Sequence, residues 1–134
     1  AAALGLENVT FVPAQPKPAM PGIMRRADVL FNSGMRYPMV ETDLPAKTME
    51  YLATGRPVIS CGQAKAVMSA SDGGIWVPPE DPESMTEAIL RLYHDPTERD
   101  RLGVGGREYA LSHFNRLDVL RAYEDTLVAT AGRT

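Results

Sequence analysis

Four short apolar runs constrain this chain more than any other feature. They are "VTFV" (Val9 to Val12), "VLFN" (Val29 to Asn32), "RPVIS" and "IWVP". β-branched and aromatic residues fill them, and Gly, Pro or Asp borders each one, so each reads as a strand. Between them lie stretches of helical character: "GIMRRAD" makes about two turns, "PAKTMEYLATG" makes a short helix, and "AKAVMSASDGG" makes a helix ended by glycines. The prolines of "PAQPKPAMPG" rule out regular structure until about Met20. Short strands that alternate with helices imply parallel pairing and crossover connections, so the fold class is α/β.

From Pro82 onward the pattern is wholly helical. Asp81 precedes Pro82 as an N-cap before a proline at the first helical position, and Met85, Ile89, Leu92 and Tyr93 recur at helical spacing. Asp95 and Pro96 repeat the device, with Glu98 three residues after the cap. The glycines of "LGVGGREY" resemble a nucleotide-binding loop, but they follow no strand and are better explained by close helix packing. A last helix, "RLDVLRAYEDTLVATAG", carries Leu117, Leu120, Tyr123, Leu127 and Val128 at intervals suited to lie against a neighbour.

At 134 residues, 44% hydrophobic and 23% charged, the chain is long enough for one domain with a core. The net charge of -3 and the scattered arginines give no electrostatic footprint for nucleic acid. A single cysteine, Cys61, excludes an internal disulfide and a cysteine-cluster metal site, and its place after "PVIS" marks it as a small buried side chain. No apolar run reaches the length of a membrane span and no signal peptide is evident, so the expected setting is the cytoplasm, free or peripheral at the inner face of the membrane.

The start of "PAKTMEYLATG" differs from the other two proline-led helices. Leu44 stands where they have aspartate, and leucine cannot cap. The amides of Ala46 and Lys47 must therefore find water, a more distant side chain such as Thr42 or Asp43, or a ligand. Lys47 adds a like charge to the positive end of the helix dipole, disfavoured by roughly 0.3–1 kcal/mol unless an anion is present. Free amides, a dipole and an ammonium together suit a phosphate. Helical spacing puts Ala46, Met49 and Ala53 on one face with Leu52 beside them, and Lys47, Glu50, Tyr51 and Thr54 on the other. On that second face, Glu50 lies one turn past the phosphate position, where a carboxylate can accept from the vicinal hydroxyls of a ribose. The alternative is a solvated face with an ordinary Lys47–Glu50 pair.

The segments "LGLENVTFV", "RRADVLFNS", "LPAKTMEYLATGRPVIS", "GGIWVPPEDPESMTEAILRLYHDP" and "TERDRLGVGGREYALSHF" occur in the order found in the C-terminal nucleotide-sugar domain of GT-B-fold glycosyltransferases. The chain resembles family 4, also called group 1, over essentially all its length, and the pairing of "PAKTMEYLATGRPVI" with "VPPEDPESMTEAI" carries the resemblance. It implies a partial Rossmann-like (GT-B C-terminal) domain with parallel strands and a helical C-terminal segment. It also implies a nucleoside diphosphate sugar as donor substrate, no metal and no other cofactor.

In that family two glutamates seven residues apart mark this helix. The later one, on the ribose, matches Glu50; the earlier, on the sugar, falls on Thr42, with Glu41 and Asp43 beside it. Helix-start amides facing the diphosphate match Ala46 and Lys47. Backbone near the base matches Ala14 and Gln15. The proline-alanine-lysine start is similar to a subgroup that includes bacterial transferases acting on surface polysaccharides.

The family domain begins about two strand-helix units earlier, with an arginine and a lysine that grip the diphosphate, and a full enzyme adds an N-terminal acceptor domain. The resemblance therefore implies that residues 1–134 are a partial donor-binding domain whose partner is the missing upstream part of the same enzyme, with "VTFV" across the sheet from the other strands. Alone it is expected not to transfer sugar, and the acceptor is not legible. Two alternatives stand beside this reading: a nucleotide-sugar 2-epimerase of the same architecture, and a noncatalytic Rossmann-like module that contacts a partner through the last helix. No side chain is identified as a catalytic nucleophile. His94 and His113, both at helix ends, read as structural or solvated, and Trp76 as a packing residue.

Overall fold

The fold is known from a computed structural model, which describes residues 4–132. Three strands, β1 (Leu30–Ser33), β2 (Val58–Cys61) and β3 (Gly74–Val77), form a parallel sheet in the order β1-β2-β3. Leu30 stands beside Val58, and Val58 beside Gly74. The crossovers carry α2 (Ala46–Ala53) and α3 (Lys65–Ser71), while α1 (Met20–Arg25) precedes β1. Three helices follow: α4 (Pro82–His94), α5 (Pro96–His113) and α6 (Arg116–Ala131). This is the α/β architecture with parallel strands and a helical C-terminal segment that the sequence predicts.

Every residue of β2 is buried, as expected of a central parallel strand covered on both faces. Successive side chains point to opposite faces, so Val58 joins Met24, Leu30, Leu52, Met68 and Ala110 on one side, and Ile59 joins Val77, Ala88, Leu92 and Leu102 on the other. Cys61 is buried in the second group, as its sequence position suggested.

The glycines of "LGVGGREY" lie inside α5 and serve packing. A Cβ at Gly103 would sit 2.3 Å from the carbonyl oxygen of Gly55, and one at Gly106 would sit 2.8 Å from Leu52 Cδ2 and 3.0 Å from Gly73 Cα. Gly55 itself follows α2 with φ +76, the left-handed geometry that closes a helix, and its amide donates to Leu52 O at 3.0 Å. Helix α5 thus presses on the end of α2 and fixes where α2 stops. The caps also form as read: Asp81 accepts from the Ser84 amide at 3.0 Å, and Asp95 from the Glu98 amide at 2.9 Å.

Two expectations need correction. "VTFV" joins no strand, and Phe11 is 81% exposed. Its residues have the propensity for a strand, but a strand is held by a hydrogen-bonded neighbour, and β1 pairs only with β2 among the described residues. In α2 the buried residues are Thr48 and Leu52 rather than Ala46, Met49 and Ala53. Thr48 enters the interior because it has a polar partner there, which apolar periodicity cannot reveal. Helix α6 forms as its spacing predicts and its apolar face is open: none of its residues is buried, and Tyr123 is 63% exposed. Spacing reports that a face is apolar, not that a neighbour covers it.

Candidate functional site

Helix α2 starts just beyond the carboxyl end of β1, and Pro45 is its N-cap rather than its first helical residue. No side chain caps it. The two side chains that could have done so are engaged elsewhere. Thr42 Oγ1 donates to Met39 O at 2.8 Å, and Asp43 Oδ2 accepts from the Tyr37 hydroxyl at 2.5 Å and from Gln63 Nε2 at 3.0 Å. Of the partners open to the first amides, water and a ligand remain.

A buried polar chain sets the position of α2. Asn32, near the end of β1, donates from Nδ2 to Thr48 Oγ1 at 2.9 Å and to Ser60 Oγ at 3.4 Å. Ser60 Oγ in turn donates to Gln63 O at 2.7 Å. Asn32, Thr48 and Ser60 are all 0% exposed. With Thr48 held inward, Lys47 and Glu50 on either side of it are turned away from the sheet.

They face a groove of about 510 Å³ between α1 and α2. Met20, Pro21, Met24 and Ala53 supply its apolar lining, and Lys17, Arg25, Lys47, Glu50, Tyr51 and Thr54 its polar and aromatic lining. Lys47 and Glu50 form no ion pair, so the ordinary i, i+3 pair weighed above is absent. An apolar lining with a few polar groups is how small-ligand sites are built. The groove offers apolar surface together with cationic side chains, a lining suited to a ligand that carries both an apolar group and an anion.

The other sequence candidates lie apart from this groove. Glu41 pairs with Lys65 Nζ at 2.7 Å, while Thr42 and Asp43 are held as described, so these three residues line the loop before α2. The Tyr37 hydroxyl, donating to the Asp43 carboxylate, has its pKa raised above the ordinary value. Ala14 and Gln15 are exposed, and Gln15 Nε2 donates to Pro13 O at 2.9 Å; they sit two or three residues before the groove residue Lys17.

His94 ends α4 edge-on to Tyr93 at 5.0 Å, and His113 stacks on Tyr109 at 4.0 Å. Neither lines the groove. Trp76 packs against the core with Lys65 Nζ 4.3 Å from its ring centre. Among the described residues, no group of three His, Cys, Asp or Glu side chains could hold a metal, and no helix is long and apolar enough to cross a membrane.

Sequence reasoning missed Lys17 and Arg25 as groove residues. Lys17 is the one charged residue in "PAQPKPAMPG", a signal that was there to be read. Arg25 was assigned only to a helix. Asn32 and Thr48 gave no signal, since buried polar pairs have no period.

A parallel α/β sheet with a groove beside the helix that follows a strand's carboxyl end is a Rossmann-like arrangement, and ligands of such sheets bind outside the carboxyl ends of the strands. The chain belongs to the group 1 glycosyl transferases, whose family model matches residues 1–95. It has the GT-B-type fold of sucrose-phosphate synthase from Thermosynechococcus elongatus, with 26% identity and a TM-score of 0.74. That similarity covers 92% of this chain and 31% of the synthase, so the chain spans less than a third of the length of that enzyme. No curated protein matches it.

Proposed function

We propose that residues 1–134 form the donor-binding part of a longer, retaining glycosyltransferase. It takes a nucleoside diphosphate sugar and passes the glycosyl group to an acceptor in glycan or surface polysaccharide synthesis. Glu50 accepts from the ribose hydroxyls, and the amides of Ala46 and Lys47, with the Lys47 ammonium, hold the diphosphate. Glu41, Thr42 and Asp43 lie toward the sugar, and Ala14 and Gln15 toward the base. Family membership supports the reaction class. The observation that carries the site is that Lys47 and Glu50 line one groove beside an uncapped helix start, with neither side chain paired among the described residues.

The chemistry follows from charge. As the bond between the anomeric carbon and the diphosphate breaks, negative charge grows on the leaving phosphate. Amides fixed at the helix start, with the Lys47 ammonium beside them in sequence, stabilise that charge with little reorganisation. Glu50→Ala in the complete enzyme is expected to weaken donor binding about tenfold, the order of a lost charged hydrogen bond. An unchanged donor constant would remove Glu50 from the site.

A further inference from the structure

The three cations that line the α1–α2 groove all lack a protein partner among the described residues, whereas most of those elsewhere have one. Arg36, Lys65, Arg91, Arg101 and Arg121 each face a carboxylate. Arg56, Arg99 and Arg107 donate to backbone carbonyls. Among the described residues this leaves Lys17, Arg25, Arg26, Lys47 and Arg116 with neither kind of partner, and Lys17, Arg25 and Lys47 all line this one groove. Its single carboxylate, Glu50, is also unpaired. A cleft lined mainly by one sign of charge concentrates the opposite charge in a ligand.

Position separates the roles of these cations. Arg25 O accepts from Arg56 Nε at 2.9 Å, which sets the end of α1 beside the end of α2. Lys17 precedes α1 while Lys47 lies in the first turn of α2, so the two ammonium groups line the groove from different elements. The geometry points to Lys17 as a second diphosphate-reading cation beside Lys47. This inference rests on the donor-site reading and adds to it a residue from a different element. Two ammonium groups in one groove suit two phosphates, each with its own charged oxygens, whereas a monophosphate engages only one of them. Lys17 is thus a specificity residue that favours diphosphates over monophosphates.

The test compares binding of UDP, GDP and ADP with that of their monophosphates to the 134-residue chain. Lys17→Gln is expected to weaken the bound diphosphate about two- to fivefold, as for an exposed charge pair, and to leave its monophosphate nearly unchanged. Arg116→Gln removes an unpaired cation outside the groove and is expected to change neither. Equal loss for both nucleotides, no loss, or the same loss in Arg116→Gln would overturn the role of Lys17 while leaving the donor site in place. If the wild-type chain bound none of the three diphosphates, the donor-site reading would fail and this inference with it.

Discussion

Asn32 Nδ2 and Thr48 Oγ1 meet at 2.9 Å with both residues fully buried, joining the carboxyl end of β1 to the first turn of α2, the helix that carries the candidate site. Thr48→Val keeps the shape and removes the hydroxyl, leaving Asn32 Nδ2 without its closest partner. The expected cost is about 1–3 kcal/mol, measured by urea denaturation. A neutral result would mean that the pair does not help hold α2.

Lys47 stands against the positive end of the α2 dipole. Lys47→Glu is therefore expected to stabilise the ligand-free chain by about 0.3–1 kcal/mol while weakening nucleotide diphosphate binding. Thermal melts and titrations on the same variant check both signs. Loss of stability together with loss of binding would point to a structural role instead.

Gly103 lies against the Gly55 carbonyl, where a Cβ would come within 2.3 Å. Alanine favours a helix over glycine by about 1 kcal/mol, yet Gly103→Ala is expected to destabilise by about 1–3 kcal/mol because backbone must move. Gly132→Ala, at the C-cap of α6, where a Cβ would meet only Val128 O at 3.5 Å, adds a methyl group without a clash and should be far milder.

Asp81 accepts from both the amide and the hydroxyl of Ser84, which holds its carboxyl below the usual carboxylate range. Its folded pKa is lower than its unfolded one, so this stabilisation is complete above the ordinary value of 3.8 and is lost as pH falls through the folded value. Asn caps about as well as Asp but does not titrate there. Melting curves of Asp81→Asn should therefore depend less on pH in the acid range than those of the wild type, and an unchanged slope would contradict the cap's role.

Much of this was legible in the sequence for a physical reason: local patterns report local structure. Proline after aspartate marked two helix starts, and both caps form. Glycines away from any strand end meant close packing, and Gly103 and Gly106 provide it. What failed needed knowledge of neighbours. "VTFV" has strand residues without a strand beside it among the described residues. At the site, helical spacing alone put Lys47 and Glu50 on one face. Lys17 enters through the path of the chain before α1, and Thr48 turns inward because Asn32 meets it, and neither of these shows in a local pattern.

The central claim is that the start of α2 binds the diphosphate of a nucleotide donor. An amide-resolved NMR titration of the 134-residue chain with UDP, GDP and ADP tests it most directly. The account predicts that at least one of them shifts the amide peaks of Ala46, Lys47 and Glu50 ahead of those in α6. A dispersed spectrum in which these three peaks stay fixed at millimolar nucleotide would contradict it.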